Sequence, residues 1–294
     1  MKIGIAGTGR MGAAIATRLL GLGHEVSVWN RSAAKTRPLA DAGARAADTP
    51  QRLARESEAV VTILTDDAAI EGVYGGKDGL LAADVAGKLF VEMSTVRPDT
   101  ERALAARVRA RGAALVECPV GGTVGPAKDG RLFGFVGGEP ADVARARPLL
   151  EQLCRRVEHV GPVGAGTAMK LAINLPLMVY WQALGEALSL IRPLALDPAR
   201  VIDILGDTSG APNVLKARGA TIAAALAGTP PGAVTFDVDS MRKDVRAMLD
   251  EAQALGRSLP VTERALECFD RAAREGLGAA DCSMVSVHWA LSET

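Results

Sequence analysis

One stretch of this sequence sets a lysine in unusual company. Gly164-Ala165-Gly166-Thr167-Ala168-Met169-Lys170-Leu171-Ala172-Ile173-Asn174 surrounds Lys170 with apolar neighbours and places Asn174 four positions on. On a helix that spacing puts both side chains on one face. A lysine near a helix N-terminus, among apolar side chains, is disfavoured in its charged form by the dipole and by burial. Its pKa is then expected to fall towards working pH, which suits a general acid for carbonyl reduction. A lysine can also lie along such a face with its head in water, and periodicity weighs the two equally.

A second stretch could hold a dinucleotide. Gly7-Thr8-Gly9-Arg10-Met11-Gly12 follows the apolar run Lys2 to Ala6 and opens a helical pattern from Arg10 to Leu22. Gly-x-Gly-x-x-Gly means little alone, but between a strand and a helix it has the context that phosphate binding requires. Gly7 allows the tight turn, Gly9 the approach of a pyrophosphate, and Gly12 the packing of helix on strand. The helix N-terminus then offers free N–H groups to the phosphates. An NAD site would carry an acid after the next strand, Glu25 to Trp29, for the ribose 2′-hydroxyl. Asn30, Arg31 and Ser32 stand there instead. Arg31 can pair with a 2′-phosphate and cover the adenine, with Asn30 and Ser32 adding hydrogen bonds, so NADP(H) is the expected cofactor.

These residues need a scaffold of alternating strands and helices. Apolar runs at Val60 to Leu64, Leu89 to Met93, Ala114 to Cys118, Leu132 to Val136 and Val157 to Val160 read as further strands, and Ser32 reads as the cap of a helix to about Ala42. Helical patterns lie between most strands, which implies a Rossmann-type doubly wound parallel sheet. After Pro162 the strand signal stops. A long apolar segment from about Gly166 to Ile191 leads into helices at Pro198 to Leu205, Val214 to Leu226, Ser240 to Ala254 and Val261 to Glu275. The expected division is therefore residues 1–162, binding the cofactor, and 163–294, an all-α domain for substrate and dimerisation, joined by the long helix.

Bulk composition narrows the classes. Lys+Arg and Asp+Glu both number 34, which argues against nucleic acid as partner. No run of about 18 apolar residues appears, so no membrane span is expected. The 4 cysteines form no C-x-x-C pair and no His stands at ligand spacing from them, so no metal site is expected and a reduced, cytoplasmic setting is. His24, His159 and His288 lie outside both motifs.

In order along the whole chain, Gly7 to Gly12, Met93-Ser94-Thr95, Cys118-Pro119-Val120-Gly121-Gly122-Thr123, the Lys170 helix and Arg242-Lys243-Asp244 resemble the β-hydroxyacid dehydrogenase family. The resemblance implies that Lys170 is the acid/base and that Asn174 orients it and the substrate. It implies that Gly121, Gly122 and Thr123 hold the substrate carboxylate, and that Thr95 and Lys243 reach the cofactor. Arg10, Met11 and Leu64 join the expected cofactor contacts. Val124 to Gly130 and Asn30-Arg31-Ser32 look closest to the glyoxylate/succinic semialdehyde reductase branch. The expected activity is NADPH-dependent reduction of small aldehyde acids; 3-hydroxyisobutyrate-type oxidation, imine reduction and a catalytically silent scaffold are the alternatives. The family usually has Ser where this chain has Gly121, which leaves the particular acid open. Family members dimerise through the helical domain, so a homodimer or homotetramer is expected.

Overall fold

Continuous apolar runs become the central strands. In chain order the computed structural model, which describes residues 1–292, contains β1 (Lys2–Ala6), α1 (Arg10–Gly21), β2 (Glu25–Trp29), α2 (Arg37–Asp41), β3 (Arg45–Ala46), α3 (Pro50–Glu56), β4 (Ala59–Thr62) and α4 (Asp67–Gly75). There follow β5 (Leu89–Glu92), α5 (Pro98–Ala110), β6 (Ala114–Glu117), β7 (Val120–Gly121), α6 (Val124–Lys128), β8 (Leu132–Gly137), α7 (Pro140–Leu153) and β9 (Cys154–Gly161). The rest is helical: α8 (Ala165–Ile191), α9 (Pro198–Gly206), α10 (Asn213–Leu226), α11 (Val238–Ala254), α12 (Pro260–Ala272) and α13 (Met284–Leu291).

The strand order is β3-β2-β1-β4-β5-β6-β8-β7, with β9 also on β8. From β3 to β6 every pairing is parallel. Alternate residues feed opposite faces, as the pleat requires. Ile3, Ile5, Val61, Val91 and Val116 pack with Ile15 and Leu19 of α1 and Leu149 and Leu153 of α7. Val60, Phe90 and Leu115 pack with Leu53, Ile70, Tyr74 and Leu104 on the other side. Both faces are covered, so these strands are apolar throughout rather than alternating.

The far end departs from the expected parallel sheet. β8 runs antiparallel to β6 and β7. Only residues 122–131 lie between β7 and β8, too few for a crossover packed on the sheet, so the chain reverses. The helix expected from Ser32 to Ala42 is also broken, into a 3-10 turn at Ala33–Lys35 and the short α2, and Ser32 makes no side-chain cap bond. Pro38 has no N–H to continue the helix from that turn.

The chain divides into two compact units, Met1–Leu171 and Ala172–Thr294. That division falls inside α8 rather than before it; of the expected second domain, Glu293 and Thr294 lie outside the described residues. In the second unit α9 packs on α10 and α11 on α12. Trp289 Nε1 donates to Gln182 Oε1 at 2.6 Å and Ser286 Oγ to the Trp181 carbonyl at 2.6 Å, tying α13 to α8. Among the described residues no helix is long and apolar enough to cross a membrane, and no group of His, Cys, Asp and Glu could hold a metal.

Candidate active site

Strand register brings the first unit's motif loops to one edge. Trp29, Ala6, Thr62, Glu92 and Glu117 are successive partners across β2, β1, β4, β5 and β6. Each ends its strand or sits one bond from the loop that follows it. The turn at Gly7, Asn30 to Ser32, Leu64, Thr95 and the segment Gly121 to Thr123 therefore all lie at the carboxyl end of the sheet, where open α/β sheets bind ligands.

The glycine turn separates packing from binding. Gly7 has φ +97°, and a Cβ on Gly12 would collide with the Gly7 carbonyl, so both are needed by the backbone. Gly9 is different: a Cβ there would meet nothing within 4 Å. It is the N-cap of α1, with no side-chain cap bond and no acid in the first turn. A helix start with room in front of it suits an anion. Arg10 and Arg31 are exposed and Met11 is half-buried.

Asn30 has partners within the chain. Its Oδ1 accepts the Thr8 N–H at 3.1 Å, and its Nδ2 donates to the Ser32 carbonyl at 3.1 Å. The side chain braces the turn, which leaves exposed Arg31 and Ser32 facing outward after β2. Leu64 is fixed by its own N–H, which donates to Ser94 Oγ at 2.7 Å. Thr95 follows, half-buried.

In the loop after β6, Gly122 has φ +124° and lies against Leu132, a position no side chain takes without strain. A Cβ on Gly121 would sit 3.7 Å from Phe133 and Phe135, ordinary contact. The backbone therefore requires glycine at 122 and not at 121. Thr123 is the N-cap residue before α6 and makes no side-chain cap bond.

Lys170 lies in the second turn of α8, only 9% exposed, and Asn174 one turn on is 8% exposed. The helix start is seated by close approach: a Cβ on Gly166 would collide with the Phe135 carbonyl of β8. Asn174 and Lys243 belong to the second unit. Lys243 Nζ lies 2.6 Å from the carboxylate of its neighbour Asp244, which is itself buried.

Sequence reasoning missed three buried acids in the first unit: Glu92, Glu101 and Glu117, each 0% exposed. Glu92 accepts the Ser94 N–H at 2.7 Å and the Thr62 hydroxyl, and burial pushes its carboxyl up to about 7 against those bonds. Burial, then the neighbouring Glu92 and Glu117, pushes Glu101 well above the usual range. Burial also pushes Glu117 up, opposed by bonds from Thr167, Gly166 and Gly164. The available signal was an acid at the end of two otherwise apolar runs, Leu89 to Met93 and Ala114 to Cys118.

Residues 2–161 match the family model described as the NAD binding domain of 6-phosphogluconate dehydrogenase, and 164–288 match that of the NAD-binding region of NADP-dependent 3-hydroxyisobutyrate dehydrogenase. The chain belongs to the β-hydroxyacid dehydrogenase family. It is 36% identical to the 3-hydroxyisobutyrate dehydrogenase of Pseudomonas aeruginosa, over 91% of this chain and 90% of that one. It is 31% identical to glyoxylate/succinic semialdehyde reductase 1 of Arabidopsis thaliana, over 97% of each. A solved structure titled Psf3 in complex with NADP+ and 2-OPP shares the fold with a TM-score of 0.86 and 29% identity, covering 97% of this chain and 99% of that one. As a member of this family the chain is a nicotinamide-dependent oxidoreductase acting on the CH–OH/C=O pair.

Proposed function

We propose that this dehydrogenase reduces short aldehyde acids of the glyoxylate and succinic semialdehyde type with NADPH, using Lys170 as the proton donor. The observation that carries the reading is a buried lysine on a helix whose start is anchored to the sheet that bears the glycine turn. Bound nicotinamide supplies the hydride. Lys170 protonates the carbonyl oxygen, and Asn174, one turn along the same face, orients it. Backbone N–H groups at Gly121, Gly122 and Thr123 hold the substrate carboxylate. Gly7, Gly9, Arg10, Met11, Gly12, Leu64, Thr95 and Lys243 serve the cofactor. Exposed Arg31 and Ser32 with no acid after β2 support NADPH over NADH.

Likeness to the Arabidopsis reductase supports the aldehyde-acid substrate. The Pseudomonas relative favours a second reading, oxidation of a 3-hydroxy acid. Exposed Leu190, Leu194 and Leu196 support pairing with a second copy through the helical unit. The compartment we assign is the cytoplasm.

A panel of glyoxylate, succinic semialdehyde, methylmalonate semialdehyde, tartronate semialdehyde and 3-hydroxyisobutyrate, each with both nicotinamides, tests the reading. The highest kcat/KM is expected for glyoxylate or succinic semialdehyde with NADPH. A higher value for 3-hydroxyisobutyrate transfers the assignment to the second reading. Lys170→Ala is expected to lower kcat by about 10²–10⁴-fold and to leave NADPH binding intact. Full rate in that variant removes Lys170 from the chemistry.

A further inference from the structure

Of the three buried acids, Glu117 alone meets the helix that carries Lys170. Its Oε1 accepts the N–H groups of Gly164, at 2.5 Å, and Gly166, at 2.9 Å. Its Oε2 accepts the Thr167 N–H at 3.3 Å and the Thr167 hydroxyl at 2.5 Å. A carboxylate has about four acceptor positions, and here each faces a donor. A proton on Oε1 would meet two backbone N–H hydrogens, so these bonds favour the charged form against the burial that opposes it, while the Thr167 hydroxyl on Oε2 can serve either form. The side-chain caps of α3, α4, α9 and α11 each accept a single N–H from within their own helix. Glu117 comes instead from a strand 47 to 50 residues earlier and takes four donors.

The surroundings reserve that place for one charge. From β8, Gly137 faces the carboxylate, and a Cβ there would overlap it. From α5, Glu101 has no hydrogen-bond partner on either oxygen, and its raised carboxyl favours the neutral form. Arg102 of α5 lies beside Gly164 and pairs with Asp99 at 2.6 Å. Glu92 on β5, its partner in register, and the Cys118 thiol next in sequence are further titratable neighbours. Thr167 and Lys170 are three residues apart, so they share a helix face, about 4.5 Å apart along the axis.

We propose that Glu117 is the positioning residue for Lys170: it locks the start of α8 to the end of β6 and holds a fixed negative charge beneath the lysine, so that the amine is both aimed and kept protonated. This rests on the reading of Lys170 as the acid.

The test uses Glu117→Gln, Glu117→Asp and Thr167→Val in the full chain. Glu117→Gln is expected to lower kcat by about 10- to 100-fold and to leave the Kd for NADPH within about twofold. The alkaline limb of kcat should move about one pH unit lower, as expected when a charge about 10 Å away is lost. Glu117→Asp should restore the limb with an intermediate kcat, and Thr167→Val should lower kcat about two- to fivefold with the limb in place. An NMR titration of the Lys170 amine without cofactor, assigned by its loss in Lys170→Ala, should show the same one-unit drop in Glu117→Gln. A folded Glu117→Gln with a lower Tm but unchanged kcat, limb and lysine titration would make Glu117 a cap alone and overturn the proposal. If Glu117→Gln does not fold, full rates in both other variants overturn it equally. Failure of the underlying reading looks different: Lys170→Ala itself would keep its rate.

Discussion

Two helices start in the first unit at a Gly-x-Gly, α1 after its second glycine and α8 within it, and their starts are opposites. At α1 the start has room: its N-cap residue Gly9 carries no side chain to accept an N–H, and a Cβ there would meet nothing within 4 Å. At α8 the start is filled: Glu117 takes three N–H groups and a hydroxyl. A helix N-terminus attracts an anion in either case. The second end holds the protein's own carboxylate, and the first is the one that the proposed function gives to the cofactor phosphates.

The sharpest way to break this comparison is to fill the open end. Gly9→Asp places a carboxylate where phosphates would lie. NADPH affinity is expected to fall on the order of 10³-fold, since like charges brought together cost several kcal/mol. Thermal stability should hold or rise, by up to about 1 kcal/mol, because Asp is a good N-cap and has room. The mirror change, Gly166→Ala, drives a methyl into the Phe135 carbonyl. It should cost about 1–3 kcal/mol of stability, as overpacking does, with NADPH affinity nearly unchanged. Nucleotide titration by fluorescence and thermal melts read both. If Gly9→Asp binds NADPH like the parent, the open end is not the phosphate seat.

How much of this was legible in the sequence depends on what each residue answers to. The strands from Lys2–Ala6 to Ala114–Glu117 announce themselves because double-sided burial leaves continuous apolar runs. Gly7 and Gly12 were legible because glycines at fixed offsets serve one local turn. The reversal at β7 and β8 was not, since an apolar run carries no sign of its direction. Glu117 was also hidden. Its partners lie 47 to 50 residues on, and nothing local says which helix end a lone acid will meet. Asn30 was read as a ligand contact because its side chain could serve either way; only the fold turns it towards Thr8.

A second change sharpens the filled end by comparing two acids in register. Glu92 and Glu117 are partners across β5 and β6, but Glu92 has no helix start to neutralise it. Its carboxyl is raised from 4.5 to about 7, with burial the largest cause. The folded state therefore holds this proton more tightly than the unfolded chain does. The stability it contributes is fully present below about pH 4.5 and is lost as pH rises through about 7. That loss is on the order of 3 kcal/mol if unshared. Glu92→Gln, which keeps the acceptor for Ser94, should flatten this part of the profile of Tm against pH. An unaltered slope between pH 4.5 and 7 would mean that another group carries it.

The smallest expected effect extends the contrast to a third glycine pair. Gly122 is demanded by φ +124°, whereas Gly121 has ordinary room for a side chain beside Phe133 and Phe135. Gly121 thus resembles Gly9, a glycine that the fold does not require. If the loop seats a carboxylate, Gly121→Ser adds one donor without disturbing the backbone. KM for aldehyde acids should fall about 3- to 10-fold, the worth of one hydrogen bond of about 1 kcal/mol, with kcat within about twofold. The same change should leave KM for NADPH alone, because Gly121 follows β6 and the phosphates are assigned to the turn after β1. A KM for aldehyde acids that rises instead would say that the open space at Gly121 receives a bulkier or uncharged part of the substrate, and that the carboxylate is bound by other groups.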